Sequence, residues 1–323
     1  RGSVLPEATW YRETDARRHF GGLYDARFLA FFNRMSLEFG TGYDERLSFL
    51  NTETEGRVVQ EAQRAAAAVE IDLTRRIAIW ANAGVQRVDY SLVGDDRLLL
   101  TDIEKFERSE GAARGGLRFQ VAGNFNISAA FEATLTDFLT ASDRDNQTRA
   151  YFVAVHYSRP RLFMSLVGGL REGEPYKDSE FESYETPSGS LFLSFFVRPN
   201  VELRLHGARQ LLYSIFDETG NQYYIETRGG AGLNLQIGRR LLLRLFGEYG
   251  THDYDLPILV AGEPVVPDEP FRIAGGGFSW IILRNVVLTA TASQQEHRSN
   301  VPGRARTVFR ATTGISFSGE FTR

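Results

Sequence analysis

Apolar and polar residues alternate with a period of two along most of this chain. Between residues 305 and 321, Phe309 and every second residue around it form an apolar face, while Arg310 and its alternate neighbours form a polar face. The segments Phe125–Leu135 and Tyr223–Ile237 repeat the pattern. A period of two is typical of β-strands with one apolar and one polar side, so the pattern predicts an all-β chain.

Short turn-type segments alternate with longer polar connections between these runs. Gly, Pro, Asn and Arg mark the short turns, which we expect at Asn33–Arg34, Thr74–Arg76, Ala122–Asn124, Ser158–Pro160, Arg198–Asn200, Gly238–Arg240 and Arg284–Asn285. The longer connections fall at 50–57, 93–104, 140–147, 171–187, 215–221, 255–269 and 297–304. Such asymmetry is expected when short turns face the periplasm and long loops face the cell exterior.

The length and number of the runs favour a membrane-spanning barrel over a soluble sandwich. Many runs exceed ten residues, whereas sandwich strands average about five or six and a tilted membrane strand needs about nine to eleven. Each of the seven short turns joins two strands, which gives fourteen. A closing strand and a first strand near Ala8–Thr14 bring the predicted number to about sixteen, with roughly 14 to 18 allowed. We predict one domain, residues 1–323, folded as a transmembrane antiparallel up-and-down β-barrel. Only the Ala-rich patch Ala65–Ala68 departs from the period of two.

Tyrosines give a second indication of a membrane boundary. Five of them share the parity of the apolar face and lie towards the long-loop end of their strands: Tyr43, Tyr151, Tyr213, Tyr223 and Tyr249. Tyrosine at the rim of an apolar band places its ring in lipid and its hydroxyl among headgroups. The alternative is that these are ordinary strand tyrosines with good β-propensity.

Composition excludes several other classes of protein. The 323 residues carry a formal net charge of -4 and a pI near 5.9, which argues against a nucleic-acid partner. No stretch approaches the roughly 18 uninterrupted apolar residues that a membrane helix needs. The absence of cysteine excludes disulfides and thiolate metal sites. We expect no cofactor.

The polar face carries charges of both signs, which we predict to line a lumen. The candidates are Glu38, Asp44, Arg64, Glu70, Asp72, Arg114, Arg118, Glu132, Glu202, Arg204, Glu226, Arg228, Arg244, Glu248, Arg310 and Glu320. Arginines facing carboxylates across water would set a transverse field that discriminates among solutes. The alternative is that these charges pair across a filled interior; about sixteen strands enclose too wide a space for side chains alone to fill, which favours water.

The sequence offers few other candidates for a catalytic or metal-binding site. The five histidines, His19, His156, His206, His252 and His297, are scattered without the spacing of metal ligands, and we predict no metal site and no catalytic residue. A hydrolase that uses His206 lacks a serine placed beside it by sequence. Asp143, Asp145 and Asn146 offer oxygen ligands for Ca²⁺, but the Gly and distal Glu of a calcium loop are missing, so we expect a solvated turn.

Two segments carry a resemblance to a known class of protein. They are the closing strand Thr307–Phe321, with Phe at alternate positions, and the hairpin that runs from Arg228 through Gly238 to Tyr249. This pattern resembles outer-membrane porin-like barrels and, more loosely, the beta-barrel porins of polysaccharide-export loci. The resemblance implies the outer membrane of a Gram-negative-type bacterium, with the bilayer and lipopolysaccharide as partners.

Three functional hypotheses follow from this sequence. The first is a channel that passes small hydrophilic solutes, with no enzymatic activity. The second is a secretion conduit or structural partner of other envelope proteins, as in polysaccharide export, and the third is a barrel-embedded lipid hydrolase. Loops Arg171–Pro187 and Leu256–Pro270 are candidates for a gate or a docking surface, because long loops on a rigid scaffold carry function. The oligomeric state is left open.

Overall fold

A computed structural model of the chain is built almost entirely from β-strands. It describes residues 2–9, 19–49, 57–92, 103–214, 222–254, 256–260, 263–283 and 286–317. The strands are β1 (Gly2–Thr9), β2 (His19–Phe31), β3 (Met35–Phe49), β4 (Arg57–Asp72), β5 (Ile77–Leu92), β6 (Arg108–Ala122), β7 (Phe125–Phe138), β8 (Asn146–Arg159), β9 (Leu162–Pro175), β10 (Tyr184–Arg198), β11 (Val201–Tyr213), β12 (Tyr223–Ile237), β13 (Leu241–Asp253), β14 (Ile258–Val260), β15 (Glu263–Val265), β16 (Asp268–Leu283), β17 (Val286–His297) and β18 (Arg306–Phe317). Two short 3₁₀ turns, Ile103–Phe106 and Ser142–Arg144, precede β6 and β8.

Sixteen of these strands form one sheet in which the strand order follows the chain order, and β14 and β15 pair separately as a small hairpin. The predicted number of about sixteen strands is therefore confirmed. Every strand of the large sheet except β1 has 12 to 16 residues, which exceeds the roughly nine to eleven needed to cross a bilayer. Within the described residues, no helix is both long and apolar enough for a membrane span.

The predicted short turns lie between consecutive strands. Six of the seven join neighbouring strands within a residue or two of the predicted position, and Arg284–Asn285 lies outside the described residues. Gly238 has a φ of +59°, a left-handed conformation that glycine adopts without steric cost, which explains its place at the β12–β13 turn. The register there runs from Ile237 opposite Leu241, so the turn is tight.

Two local predictions differ from the structure. The first strand covers Gly2–Thr9 rather than Ala8–Thr14, because Gly2 pairs with Ala26 and Thr9 pairs with His19, which sets the register against β2. Residues 10–18 lie outside the described residues. The Ala-rich patch Ala65–Ala68 is an ordinary part of β4, paired on both sides with β3 and β5, so sheet pairing overrides the helical propensity of alanine.

The chain divides into two compact units. The first comprises residues 1–153 and 169–187. One face of its sheet is apolar and exposed: Phe28 pairs with Phe39 across β2 and β3, and both rings are more than half exposed. A large exposed apolar face marks contact with lipid or a partner. The opposite face carries polar and charged residues, described below.

The second unit comprises residues 154–168 and 188–323. Its strands show the same division, because Leu245, Tyr249 and Phe309 are exposed on one face, at 60%, 61% and 71% of their full area. Adjacent strand positions point to the opposite face. Each unit therefore presents the alternation that the sequence predicts, with aromatic and aliphatic side chains exposed rather than enclosed.

Candidate functional site

The polar face of the first unit is a network of cross-strand ion pairs. Glu132 lies between two arginines: its carboxylate is 2.5 Å from Arg114 Nη2 and 3.1 Å from Arg171 Nη2. Both guanidinium groups stand over the ring of Phe152, at 5.5 and 6.0 Å from its centroid. Other candidates of this unit pair on the same face: Arg118 with Glu70, Glu38 with Arg27 at 3.7 Å, Arg64 with Asp25 at 3.9 Å and Asp44 with Arg46 at 3.4 Å. Register places Asp72 on this face as well, opposite Ala78.

The polar face of the second unit has a similar centre at Glu202. Its carboxylate accepts hydrogen bonds from Ser194 Oγ at 2.5 Å, Arg204 Nε at 2.9 Å and Asn234 Nδ2 at 2.7 Å. Sheet register places further candidates on this face: Arg244 opposite Asn234, Arg310 opposite Ser293, and Glu248 opposite Gly230, where it lies 3.1 Å from His206 Nε2. All the described lumen candidates thus share one face within their own unit. Whether that face encloses water stays a prediction.

Near the long-loop ends of β12, β13, β16 and β17, the second unit also holds a buried group that we call the histidine cluster: Glu226, His252, Glu269, His297 and Arg304. The first four side chains are about 1% exposed or less, and that of Arg304 is 11% exposed. His297 Nε2 lies 3.3 Å from Glu269 Oε2, and His252 Nδ1 lies 3.8 Å from the same oxygen. The two imidazole centroids are 5.3 Å apart.

Each carboxylate oxygen of Glu269 has its own set of contacts. Oε1 accepts hydrogen bonds from Arg304 Nη1 at 2.9 Å and Ser299 Oγ at 3.0 Å. Oε2 accepts a hydrogen bond from the Tyr254 hydroxyl at 3.0 Å and faces the imidazoles. A buried carboxylate requires this kind of compensation, because an unpaired ion in the interior is strongly unfavourable.

The other side of His252 faces a second carboxylate. Its Nε2 lies 3.6 Å from Glu226 Oε2, while Glu226 Oε1 contacts Arg228 Nε at 3.4 Å and accepts a hydrogen bond from Gln210 Nε2 at 3.3 Å. The imidazole lies between the rings of Tyr224 and Phe271, with centroids 4.7 and 5.0 Å away and both ring pairs tilted, at 54° and 43°. His252 is therefore fixed between two carboxylates and two aromatic rings.

The sequence prediction missed this cluster. His252 and His297 are 45 positions apart and both are strand residues, as the sequence predicted, but their proximity in space was not predicted. Register brings them together, because His252 lies opposite Glu269 and His297 lies opposite Phe271 on the adjacent strand. The only signal available was the parity that places both histidines and Glu269 on the polar face near strand ends.

The first unit has a different buried group near strand ends, which we call the arginine cluster: Phe106, Phe138, Arg144 and Asp145. Arg144 is fully buried, and its guanidinium stands 5.0 Å from the Phe106 centroid and 5.2 Å from the Phe138 centroid. Asp145 Oδ1 accepts a hydrogen bond from the backbone N–H of Phe138 at 2.7 Å. Burial raises the pKa of the Asp145 carboxyl.

Asp145 also holds the loop that follows β9. Its backbone carbonyl accepts hydrogen bonds from the Tyr176 N–H at 3.0 Å and from Ser179 Oγ at 2.5 Å. Lys177 Nζ donates to Asp137 Oδ1 at 2.7 Å, and this hydrogen bond raises the pKa of Lys177. Of the three residues that the sequence predicted in a solvated turn, Asp143 is exposed, but Asp145 and Asn146 are buried, at 2% and 1% exposure, and the Asp145 side chain anchors β7.

The five predicted rim tyrosines differ in exposure. Tyr151 and Tyr249 are 51% and 61% exposed, in agreement with a rim position. Tyr43 and Tyr213 are half-buried. Tyr223 is only 4% exposed, because it lies at the covered start of β12 opposite Tyr213, and its ring is not available to a membrane surface. The rim position of the other four stays a prediction.

Comparison with known proteins gives similarity of structure alone. No protein-family model matches this chain, and no curated protein matches it. The FrpB iron transporter of Neisseria meningitidis in its apoprotein form has a TM-score of 0.54 at 9% identity, with 88% of this chain and 52% of that chain covered. The copper transporter OprC has a TM-score of 0.52 at 12% identity, with coverage of 94% and 56%.

A third structure, BauA, the ferric preacinetobactin receptor of Acinetobacter baumannii, has a TM-score of 0.51 at 10% identity and covers 98% of this chain and 69% of its own. This chain spans little more than half the length of FrpB and OprC. The shared feature is the fold of Gram-negative outer-membrane β-barrel proteins. The predicted fold class is confirmed: sixteen strands form one antiparallel up-and-down sheet, and its fold is similar to that of outer-membrane β-barrel proteins, which agrees with the predicted outer-membrane location.

Proposed function

We propose that this protein is a channel that passes small hydrophilic solutes across the outer membrane, with the polar faces of its two units in contact with water. One observation carries the proposal: the charges on the polar face are ion-paired yet partly exposed, as Arg114 is at 41% of its side chain. Water beside such charges hydrates a pore, and their mixed sign gives weak selectivity rather than exclusion of one ion type. No covalent chemistry forms part of this role.

The solved structures support transport in general terms. FrpB, OprC and BauA are named as an iron transporter, a copper transporter and a ferric preacinetobactin receptor. Identities of 9 to 12% carry no cargo across to this chain. The solute class proposed here rests on the polar face alone, and the proposed partners are the bilayer and lipopolysaccharide.

Reversal potentials in a planar bilayer test the proposal. The wild-type protein is expected to give steady ohmic single-channel current. Glu132→Gln leaves Arg114 and Arg171 without their shared carboxylate, so a pore lined by this face should shift its selectivity towards anions. Glu132→Asp keeps the charge and should retain the wild-type reversal potential.

A matched control removes the same charge from the opposite face. Glu174 contacts Arg149 at 4.0 Å, and Arg149 has the strand parity of the exposed Tyr151. Glu174→Gln should therefore leave ion selectivity unchanged. An equal shift in both variants, or no shift in Glu132→Gln, contradicts a pore along the polar face.

A conduit or structural partner of other envelope proteins is the second candidate. The loop after β9 favours it, because hydrogen bonds from Tyr176 N–H to Asp145 O and from Glu180 N–H to Asp143 O, both 3.0 Å, hold that loop in one conformation. A fixed loop suits docking better than gating. Absence of current from the protein alone, with current restored by an envelope extract, would favour this second role.

A further inference from the structure

We propose that His252, Glu269 and His297 form a binding site for a divalent transition-metal ion of the Zn²⁺ type, a role beyond the passage of solutes proposed above. One ligand atom from each of the three buried residues lies within 4.8 Å of the others. Two imidazoles and one carboxylate are a recurrent ligand set for zinc and for non-haem iron, with open positions for water. The chain has no cysteine, so its transition-metal chemistry depends on its histidines.

The two distances from Glu269 to the imidazoles are close to those around a bound metal ion, and all three ligand atoms lie within 4.8 Å of one another. Zn–N and Zn–O bonds of about 2.0–2.2 Å place neighbouring ligand atoms of a tetrahedron roughly 3.3 Å apart. His297 Nε2 is 3.3 Å from Glu269 Oε2, and His252 Nδ1 is 3.8 Å from it. A metal ion would take the place of the proton that His297 and Glu269 share, and that proton would leave to solvent.

Contacts around Glu269 direct one of its oxygens to the site. Arg304 and Ser299 both donate to Oε1, at 2.9 and 3.0 Å, so that oxygen has its hydrogen bonds. Oε2 is the oxygen that faces both imidazoles, and its other contact is a single hydrogen bond from the Tyr254 hydroxyl. A carboxylate oxygen has two lone pairs, so it can accept this hydrogen bond and bind a metal ion at the same time.

A second carboxylate, that of Glu226, lies on the side of His252 away from Glu269, where it faces the second ring nitrogen of His252. If His252 binds the ion through Nδ1, its Nε2–H points to Glu226 Oε2 at 3.6 Å. Metal-bound histidines commonly donate their other N–H to a carboxylate, which fixes the tautomer and raises the basicity of the ligand. Gln210 and Arg228 contact the other oxygen of Glu226, Oε1.

His297 offers its Nε2 to the site. That nitrogen lies 3.3 Å from Glu269 Oε2 in a side chain that is only 1% exposed. Its Nδ1 is buried without a hydrogen-bond partner among the described residues, and binding of an ion through Nε2 would leave it so. The cluster also lies at strand ends, where β13 ends at Asp253 and β16 begins at Asp268.

Calorimetric titration of the full chain tests the site. The protein is purified in detergent without a histidine tag, stripped with chelator and titrated with Zn²⁺. We expect one saturable site per chain, abolished in His297→Ala and in His252→Ala. Glu226→Gln keeps all three ligands and should weaken binding by about 10- to 100-fold, as loss of an outer partner does elsewhere.

His156→Ala is the matched control, because His156 belongs to the same compact unit and to β8 rather than to the cluster. It should bind Zn²⁺ as the wild type does. If a cluster variant fails to fold, zinc K-edge absorption of the zinc-loaded wild-type protein still tests the proposal, because the spectrum reports the number of imidazole ligands and the site requires two. No saturable binding by the wild type, a spectrum with fewer than two imidazoles, or wild-type affinity in folded His297→Ala overturns the proposal.

Discussion

The arginine cluster and the histidine cluster hold strand ends together with different chemistry. In the first unit, a fully buried Arg144 stands against the rings of Phe106 and Phe138. In the second unit, two imidazoles and Arg304 surround the buried carboxylate of Glu269. A guanidinium is always protonated and cannot bind a cation, whereas an imidazole can exchange its proton for a metal ion. The two clusters thus separate a purely structural use of buried charge from one that also offers ligand chemistry.

The largest expected effect is the loss of the carboxylate in the histidine cluster. Glu269→Gln removes the carboxylate charge that lies 2.9 Å from Arg304, and removal of one partner of a buried ion pair lowers the free energy of unfolding by about 3–5 kcal/mol. Urea unfolding of the folded protein in detergent, followed by tryptophan fluorescence, measures the loss. Glu263→Gln, at an exposed position, is the control and should leave the midpoint unchanged. A loss below about 1 kcal/mol in Glu269→Gln would mean that this cluster is not a centre of stability.

Zinc should increase the free energy of unfolding through the histidine cluster and not through the arginine cluster. Binding to the folded state alone at a concentration of about 100 times Kd adds roughly 2.7 kcal/mol to the free energy of unfolding. We expect this gain in the wild type and in Arg144→Met, where the histidine cluster is intact, and no gain in His297→Ala. The same urea experiment with and without Zn²⁺ gives the comparison. Equal gains in all three proteins would assign the effect to zinc bound elsewhere.

Arg144→Met should lower the free energy of unfolding by about 2 kcal/mol, the value for a desolvated cation–π contact. Methionine fills the space but lacks the charge that lies between Phe106 and Phe138. Arg149→Met, at an exposed position of the same unit, is the matched control. The shift of the urea midpoint in each variant is the measurement. Equal stability of Arg144→Met and wild type would mean that the buried charge contributes nothing beyond its packing.

The smallest effect is expected at Lys177. Its side chain is 51% exposed, and solvent screens its hydrogen bond to Asp137, so Lys177→Gln should change the rate of proteolysis in the following loop by about twofold at most. Because the pKa of Lys177 is raised, the interaction is complete below its ordinary value of 10.5 and is lost as pH rises through the folded-state value. The difference between variant and wild type should therefore fall at strongly alkaline pH and at high salt. A large effect that is independent of salt would contradict a screened surface pair.

Much of the fold could be predicted because its signals are local. Parity along each strand assigned Glu132 and Glu202 to the polar face, and Gly-, Asn- and Pro-containing segments marked the turns. The first strand was misplaced because residues 11–20 are dense in charge and alternate poorly. Tyr223 was assigned to the rim because parity gives the face of a residue but not what covers it.

The sequence by itself determined the two-residue period, the long strands and the positions of the turns, because these depend on neighbours in the chain and on the pleat of a strand. Only the tertiary structure decided that His252 and His297, 45 positions apart, meet at one carboxylate and that Asp145 anchors β7. Register across β13, β16 and β17 sets these distances. A shift of one residue in that pairing would turn the imidazoles to the opposite face, and no local pattern encodes the choice.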